Sequence, residues 1–202
     1  LTVPVVTQIA NHLAVSGGKF SGTEAVFVMA GGNDVLYQLG ALQAGATAAG
    51  KAAGATAGAQ AFATNLTVAL AAGATNPATA AAAIGAAVKT ASAAPGATST
   101  TIVGAAVQAA VIAGNTAVAS PTVYGPLVAK AQADATVTGN AAGAKAGADY
   151  AAAQGPLLVA SMKQAGTELV ALVKDQIIAK GANYVVVNNL PDVAGTPSGL
   201  SK

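Results

Sequence analysis

The 202-residue sequence contains no cysteine, no tryptophan and no arginine, a single histidine, and only 8% charged and 3% aromatic residues. Each shortage excludes something. Without cysteine there is no disulfide framework and no iron–sulfur cluster, and one histidine leaves no donor set for a zinc finger. All nine basic residues are lysine, and a net charge of +2 without arginine lacks the electrostatic footprint of a nucleic-acid binder. The expectation is therefore no metal, no cofactor and no nucleic-acid partner. Disorder is disfavoured as well, because disordered chains are polar and charge-rich whereas the mean hydropathy of this one is +0.58.

What the sequence has instead is alanine and glycine, 56 and 24 residues respectively. The 53% hydrophobic content is mostly alanine, which brings little area to bury, so the driving force per residue is lower than that figure implies. Close backbone approach must supply much of the core. Charge is also unevenly placed: between residues 35 and 129 the only charged side chains are Lys51 and Lys89. The two ends and the middle are two kinds of sequence.

At the N-terminal end, Thr2-Val3-Pro4 reads as a helix start, Val5, Val6, Ile9 and Leu13 follow at helical spacing, and Gly17-Gly18 closes the segment. Residues 25–30 form a short apolar run of the kind a covered parallel strand shows, running straight into Gly31-Gly32-Asn33-Asp34. The C-terminal end repeats the pattern. Met162, Ala165, Leu169, Leu172, Val173 and Ile177 line one face of a helix, Lys180-Gly181 reads as its stop, and residues 184–188 make a second strand-like run. Helix, strand and loop at both ends predict a parallel α/β sheet with a ligand crevice at the strands' carboxyl ends.

The middle predicts helical hairpins packed through small residues. Gly40, Gly45, Gly50, Gly54 and Gly58 fall at about one-turn spacing, a pattern that permits very close helix contact. Further helices are expected over 79–92, 99–113 and 124–135, with breaks at Asn76-Pro77, Ala94-Pro95-Gly96 and Ser120-Pro121. The helix-breaking cost of glycine leaves room for disorder within residues 40–61. Residues 101–119 are the best candidate for a membrane span, but Gly104, Gln108, Gly114, Asn115 and Thr116 interrupt them, so no integral span is expected.

Gly31-Gly32-Asn33-Asp34 after an apolar strand resembles the third sequence block, G-x-N-D, of the SGNH (GDSL-type) hydrolases. The run from Gly181 to Asp192, with Thr196-Pro197 beyond it, is similar to a later strand and loop of that family's bacterial lipase/esterase branch, as are Gln8-Ile9 and Phe20-Ser21-Gly22. The resemblance covers roughly residues 1–40 and 157–202. It implies an α/β fold: a flavodoxin-like three-layer core, incomplete in this chain, with residues 1–40 and 157–202 as its two parts and residues 41–156 as a helical insertion. It also implies ester hydrolysis through a serine acyl-enzyme, with histidine as base and aspartate as its orienting group. By the same carry-over Asn33 is the oxyanion-hole donor. From their own chemistry, Gly31 and Gly32 let the backbone turn tightly and approach a substrate, Asp34 is structural, and Tyr37 reads as a packing residue or, by its closeness to Asn33, as a substrate contact.

The rest of that machinery is missing. No Gly-Asp-Ser, Asp-x-x-His or Gly-x-Ser-x-Gly string occurs, and the only histidine, His12, lies upstream of the G-x-N-D block, where it reads as a packing residue. The expectation is an internal part of a secreted bacterial esterase or lipase, inactive alone. It would act on an ester or lipid-like substrate once other segments supply Ser, Gly, Asp and His. The alternative is a non-catalytic structural module whose Ala/Gly-rich helices pack between subunits of a homo-oligomer.

Overall fold

A computed structural model describes residues 3–190. In chain order the elements are α1 (Val5–Val15), β1 (Ala25–Val28), α2 (Gly32–Ala71), α3 (Pro77–Ala93), α4 (Ser99–Ile112), α5 (Pro121–Gln176) and β2 (Tyr184–Val187), with 3-10 turns at Thr116–Ala119 and Ile178–Lys180. This is a mostly helical chain, and its sheet, among the described residues, is a single parallel pair of strands. The expected α/β three-layer core is thus overturned. The physical reason lies in composition: alanine, the strongest helix former, is the commonest residue outside the strands, and even the β-branched run Thr100-Thr101-Ile102-Val103 is carried in helix α4.

The chain divides into two compact units, one of Leu1–Gln43 with Ala152–Lys202 and one of Ala44–Ala151. In the first, β1 and β2 pair in parallel with Ala25 opposite Tyr184 and Val28 opposite Val187. Val5, Ile9 and Leu13 of α1 and Leu169, Leu172, Val173 and Ile177 of α5 pack with Val26, Val28 and Val185. These belong to the faces that the helical spacing identifies, but Val6 and Ala165, expected on the same faces, are exposed, and Met162 is not part of this cluster. The helix stop is also as expected: Gly181 adopts φ +103°, its N–H donates to the Ile178 carbonyl and that of Ala182 to Ile177. Two further bonds tie the strand entrances together, Phe20 N–H to the Lys180 carbonyl at 2.8 Å and Asn183 Nδ2 to the Gly22 carbonyl at 3.0 Å. The ribbon is covered on one face only. Phe27 and Tyr184 on the other are 69% and 62% exposed.

In the second unit, α2 and α5 meet backbone to backbone. A Cβ on Gly54 would fall 2.9 Å from the Gly139 carbonyl oxygen, and one on Gly139 would fall 2.8 Å from that of Gly54. Gly50 and Gly143 are related in the same reciprocal way at 2.9 Å, and Gly147 faces the Ala46 carbonyl at 3.2 Å. Four-residue steps running in opposite directions keep one stripe of each antiparallel helix against the other. Residues 40–61 are accordingly continuous helix, not disordered. α5 likewise unites what sequence spacing reads as separate helices over 124–135 and 157–180, because Gly139, Gly143 and Gly147 serve contact rather than interruption.

α3 and α4 form the second hairpin of this unit. Asn76 caps α3 through Oδ1, which accepts from Thr79 N–H, with Pro77 at the first helical position. Thr98 and Thr101 cap α4 reciprocally. Leu66, Leu70, Ile84 and Val118 are the large buried side chains, filled in by Ala80, Ala106 and Ala110. α4 ends at a left-handed Gly114 (φ +101°): Gly114 N–H donates to Val111 and Asn115 N–H to Ala110. The buried Asn115 side chain then donates from Nδ2 to the Leu70 carbonyl at 2.7 Å, satisfying one of the last acceptors of α2. At 14 residues, α4 spans only about 21 Å, short of the ~30 Å hydrocarbon core. Among the described residues no helix is long and apolar enough to cross a membrane.

Two glycine substitutions in this unit should have opposite signs. Gly54→Ala forces backbone apart and is expected to cost about 1–3 kcal/mol. Gly104→Ala, where a Cβ meets nothing within 4 Å, is expected to gain about 0.5–1 kcal/mol. Thermal unfolding followed by circular dichroism checks both. Asn115→Ala leaves the Leu70 carbonyl buried without its donor and should cost about 1–3 kcal/mol in the same assay.

Candidate functional site

The Gly31-Gly32-Asn33-Asp34 loop sits at the carboxyl end of β1. Gly31 takes φ +99°, a conformation that costs an ordinary L-residue about 1–2 kcal/mol, and turns the chain directly from strand into helix. Its carbonyl accepts the first ladder bond of α2, from Val35 N–H at 3.0 Å. Asn33 is thereby the second residue of a 40-residue helix, in the opening turn where the helix dipole presents its positive end. Asp34 is in that same turn, a favourable position for a carboxylate. Tyr37 follows Asn33 by four residues, so the two lie on the same helix face, and both are exposed.

β2 ends beside this turn. The ladder continues one bond past the strands, with Asn188 N–H donating to the Val28 carbonyl at 2.9 Å. Asn189 Oδ1 then accepts from Leu190 N–H at 3.0 Å. Leu190 packs over the glycines: a Cβ on Gly31 would lie 3.2 Å from its Cδ1, whereas one on Gly32 would reach only ordinary contact, 3.9 Å from Cδ2. Parallel pairing therefore gathers Gly31, Gly32, Asn33, Tyr37, Asn188 and Asn189 at one end of the ribbon. Leu190 as the apolar wall behind the glycines is the residue that sequence reasoning missed. The Asn-Leu-Pro-Asp string marked its loop but carried no sign of what the leucine touches. Asp192, Thr196 and Pro197 lie outside the described residues.

His12 takes no part in this cluster through any hydrogen bond or ion pair. It stacks on Phe20, ring centroids 4.6 Å apart and planes at 23°. Ser16 lies one turn along the same helix, but its buried hydroxyl makes no hydrogen bond, so imidazole and hydroxyl do not form the nucleophile–base pair that acyl transfer needs. Among the described residues no three His, Asp or Glu side chains gather where they could hold a metal ion. What the arrangement can do chemically is polar recognition: carboxamides, a phenol, the Asp34 carboxylate and the positive end of a helix at an exposed strand end.

Comparison of the chain with protein-family models, with curated proteins and with solved structures finds no match in any of the three.

The glycines differ in what they tolerate. Gly31→Ala is expected to destabilise the first unit by about 1–2 kcal/mol, from the left-handed backbone and the Leu190 contact. Gly32→Ala, in the first helical turn with only ordinary contact, should be neutral or slightly stabilising. Urea unfolding monitored by tyrosine fluorescence distinguishes them.

Proposed function

We propose that this chain is part of a secreted bacterial ester hydrolase of the SGNH type, to which it contributes the oxyanion-hole amide of Asn33. The nucleophilic serine and the catalytic histidine come from other segments of the same hydrolase. One observation carries the reading: the in-register parallel pairing of β1 with β2 gathers the Gly31-Gly32-Asn33-Asp34 turn and the Asn188-Asn189-Leu190 segment at a single strand end. The Gly31-Gly32-Asn33-Asp34 and Gly181–Asp192 sequence resemblance supports the same reading.

The chemistry needs little more from these residues. As a carbonyl carbon becomes tetrahedral, negative charge grows on its oxygen. A neutral amide N–H held in the first turn of a helix stabilises that charge without having to reorganise, and the helix dipole acts in the same direction. Gly31 makes the left-handed turn with Leu190 packed over it, and Gly32, where the nearest neighbour is at ordinary contact distance, leaves the acyl group room to approach the backbone. Tyr37, on the same helix face as Asn33, borders the substrate, an ester or lipid-like molecule. Asp34 steadies the turn from the helix side.

A second reading, a non-catalytic module that assembles with copies of itself, draws on the bare face of the ribbon, where Phe27 and Tyr184 are exposed. A fluorophosphonate probe applied to native material containing this chain separates the two. Labelling of a serine in a co-purifying segment supports the hydrolase; an unlabelled, homogeneous homopolymer supports the module. With the serine-bearing segment joined to this chain, Asn33→Ala is expected to lower kcat for a short-acyl ester by about 10²–10³-fold, with the circular dichroism spectrum unchanged. Near-normal turnover in that variant would sink the assignment.

A further inference from the structure

The second unit holds an open groove of about 750 Å³ between its two hairpins, within the ~300–1,000 Å³ range of small-molecule sites. We infer that it binds the aliphatic chain of a fatty carboxylate of about a dozen carbons, with the carboxylate paired to Lys51. The inference stands on residues of this unit alone and is independent of the ester-hydrolase reading.

Three observations converge. The first is the wall. Glycine and alanine backbone of α2 and α5 make a smooth floor, and Phe62, Val88 and Ile102 close one part of it with large apolar side chains. Most of the exposed lining is apolar and binds hydrocarbon by area, while Ser92, Ser99, Gln132, Thr136 and Asn140 make up its uncharged polar remainder. The second is charge. Lys51 is the one charged side chain on the lining. Both carboxylates of the unit are already engaged within α5, Asp134 by Lys130 and Asp149 by Lys145, each at 2.7 Å. Residues 44–151 contain no other Asp or Glu, so Lys51 is left without a carboxylate of its own unit and complements an anion. The third is length. Lys51 and Phe62 are eleven residues apart on one straight element, about 16 Å at 1.5 Å per residue, which matches an extended chain of about twelve carbons. A cationic head and a long apolar trough at that distance fit an amphiphile with a negative end.

The test titrates ¹³C-carboxyl dodecanoate, below its micellar concentration, into the full 202-residue chain and follows the carboxyl resonance together with calorimetry. One saturable site is expected, and dodecyltrimethylammonium, of equal chain length and opposite charge, should not compete for it. Lys51→Glu is expected to weaken binding about tenfold or more, and Lys51→Arg to retain it. Ala59→Trp, at an exposed position on the groove lining, should abolish binding while circular dichroism shows the helices intact. Non-saturable uptake, equal binding of the cationic amphiphile, or native affinity in either Lys51→Glu or Ala59→Trp would each overturn the inference.

Discussion

The contact between α2 and α5 is made by atoms every residue possesses. At Gly50, Gly54, Gly139 and Gly143 one backbone lies directly against the other, at separations that a single methyl group would violate. Glycine in a helix interior costs about 1 kcal/mol relative to alanine, so a stripe of such positions would weaken an isolated helix considerably. Dispersion between closely apposed backbones, with Cα–H groups against carbonyl oxygens, offsets that cost only when both helices are present. The remaining architecture of the unit follows from this. Leu66 and Leu70 are carried beyond the glycine stripe on α2, where they meet Ile84 and Val118, and Asn115 then closes the end of α2 with its amide. The chain has few large side chains, and it concentrates them where the helices are no longer in direct backbone contact.

That dependence explains what was legible in the sequence. Elements whose signals are local are readable to within a few residues: the strand-like runs at 25–30 and 184–188, the helices over 79–92 and 99–113 with the Asn76-Pro77 break between α2 and α3, and the Gly181 stop. The lengths of α2 and α5 are not. Gly139 and Gly143 lower helix propensity when taken alone, and what reverses their meaning is a partner some ninety residues away on α2. The extent of the sheet was misjudged for a related reason. A helix–strand–loop grammar at each end is compatible with many strands, and the described sheet stops at two because the alanine-rich sequence between them is helical, even at the β-branched run Thr100-Thr101-Ile102-Val103. At the site, the shared face of Asn33 and Tyr37 follows directly from their spacing of four. The packing of Leu190 over Gly31 does not, because it depends on the register between strands more than 150 residues apart.

The first unit works under a different constraint. Four-residue strands paired in parallel make a ribbon that cannot hold itself together, so α1 and the last turns of α5 must supply apolar cover. They do so on one face. The site's polar residues then collect at the carboxyl end of the ribbon, where Met29, Ala30 and the left-handed Gly31 join strand to helix. The result is a short polar edge that carries carboxamides, a phenol and the Asp34 carboxylate.

Packing through small residues has a thermodynamic consequence as well. Heat capacity change on unfolding, and the steepness of denaturant response, both scale with the apolar area newly exposed. A helical hairpin whose contact is largely backbone and methyl exposes less of that area per residue than a core of leucine and phenylalanine. The free energy of such a unit should therefore vary gently with temperature, giving a broad, shallow stability curve and a gradual urea transition. Cooperativity would come from the mutual requirement of the two glycine stripes more than from expulsion of water.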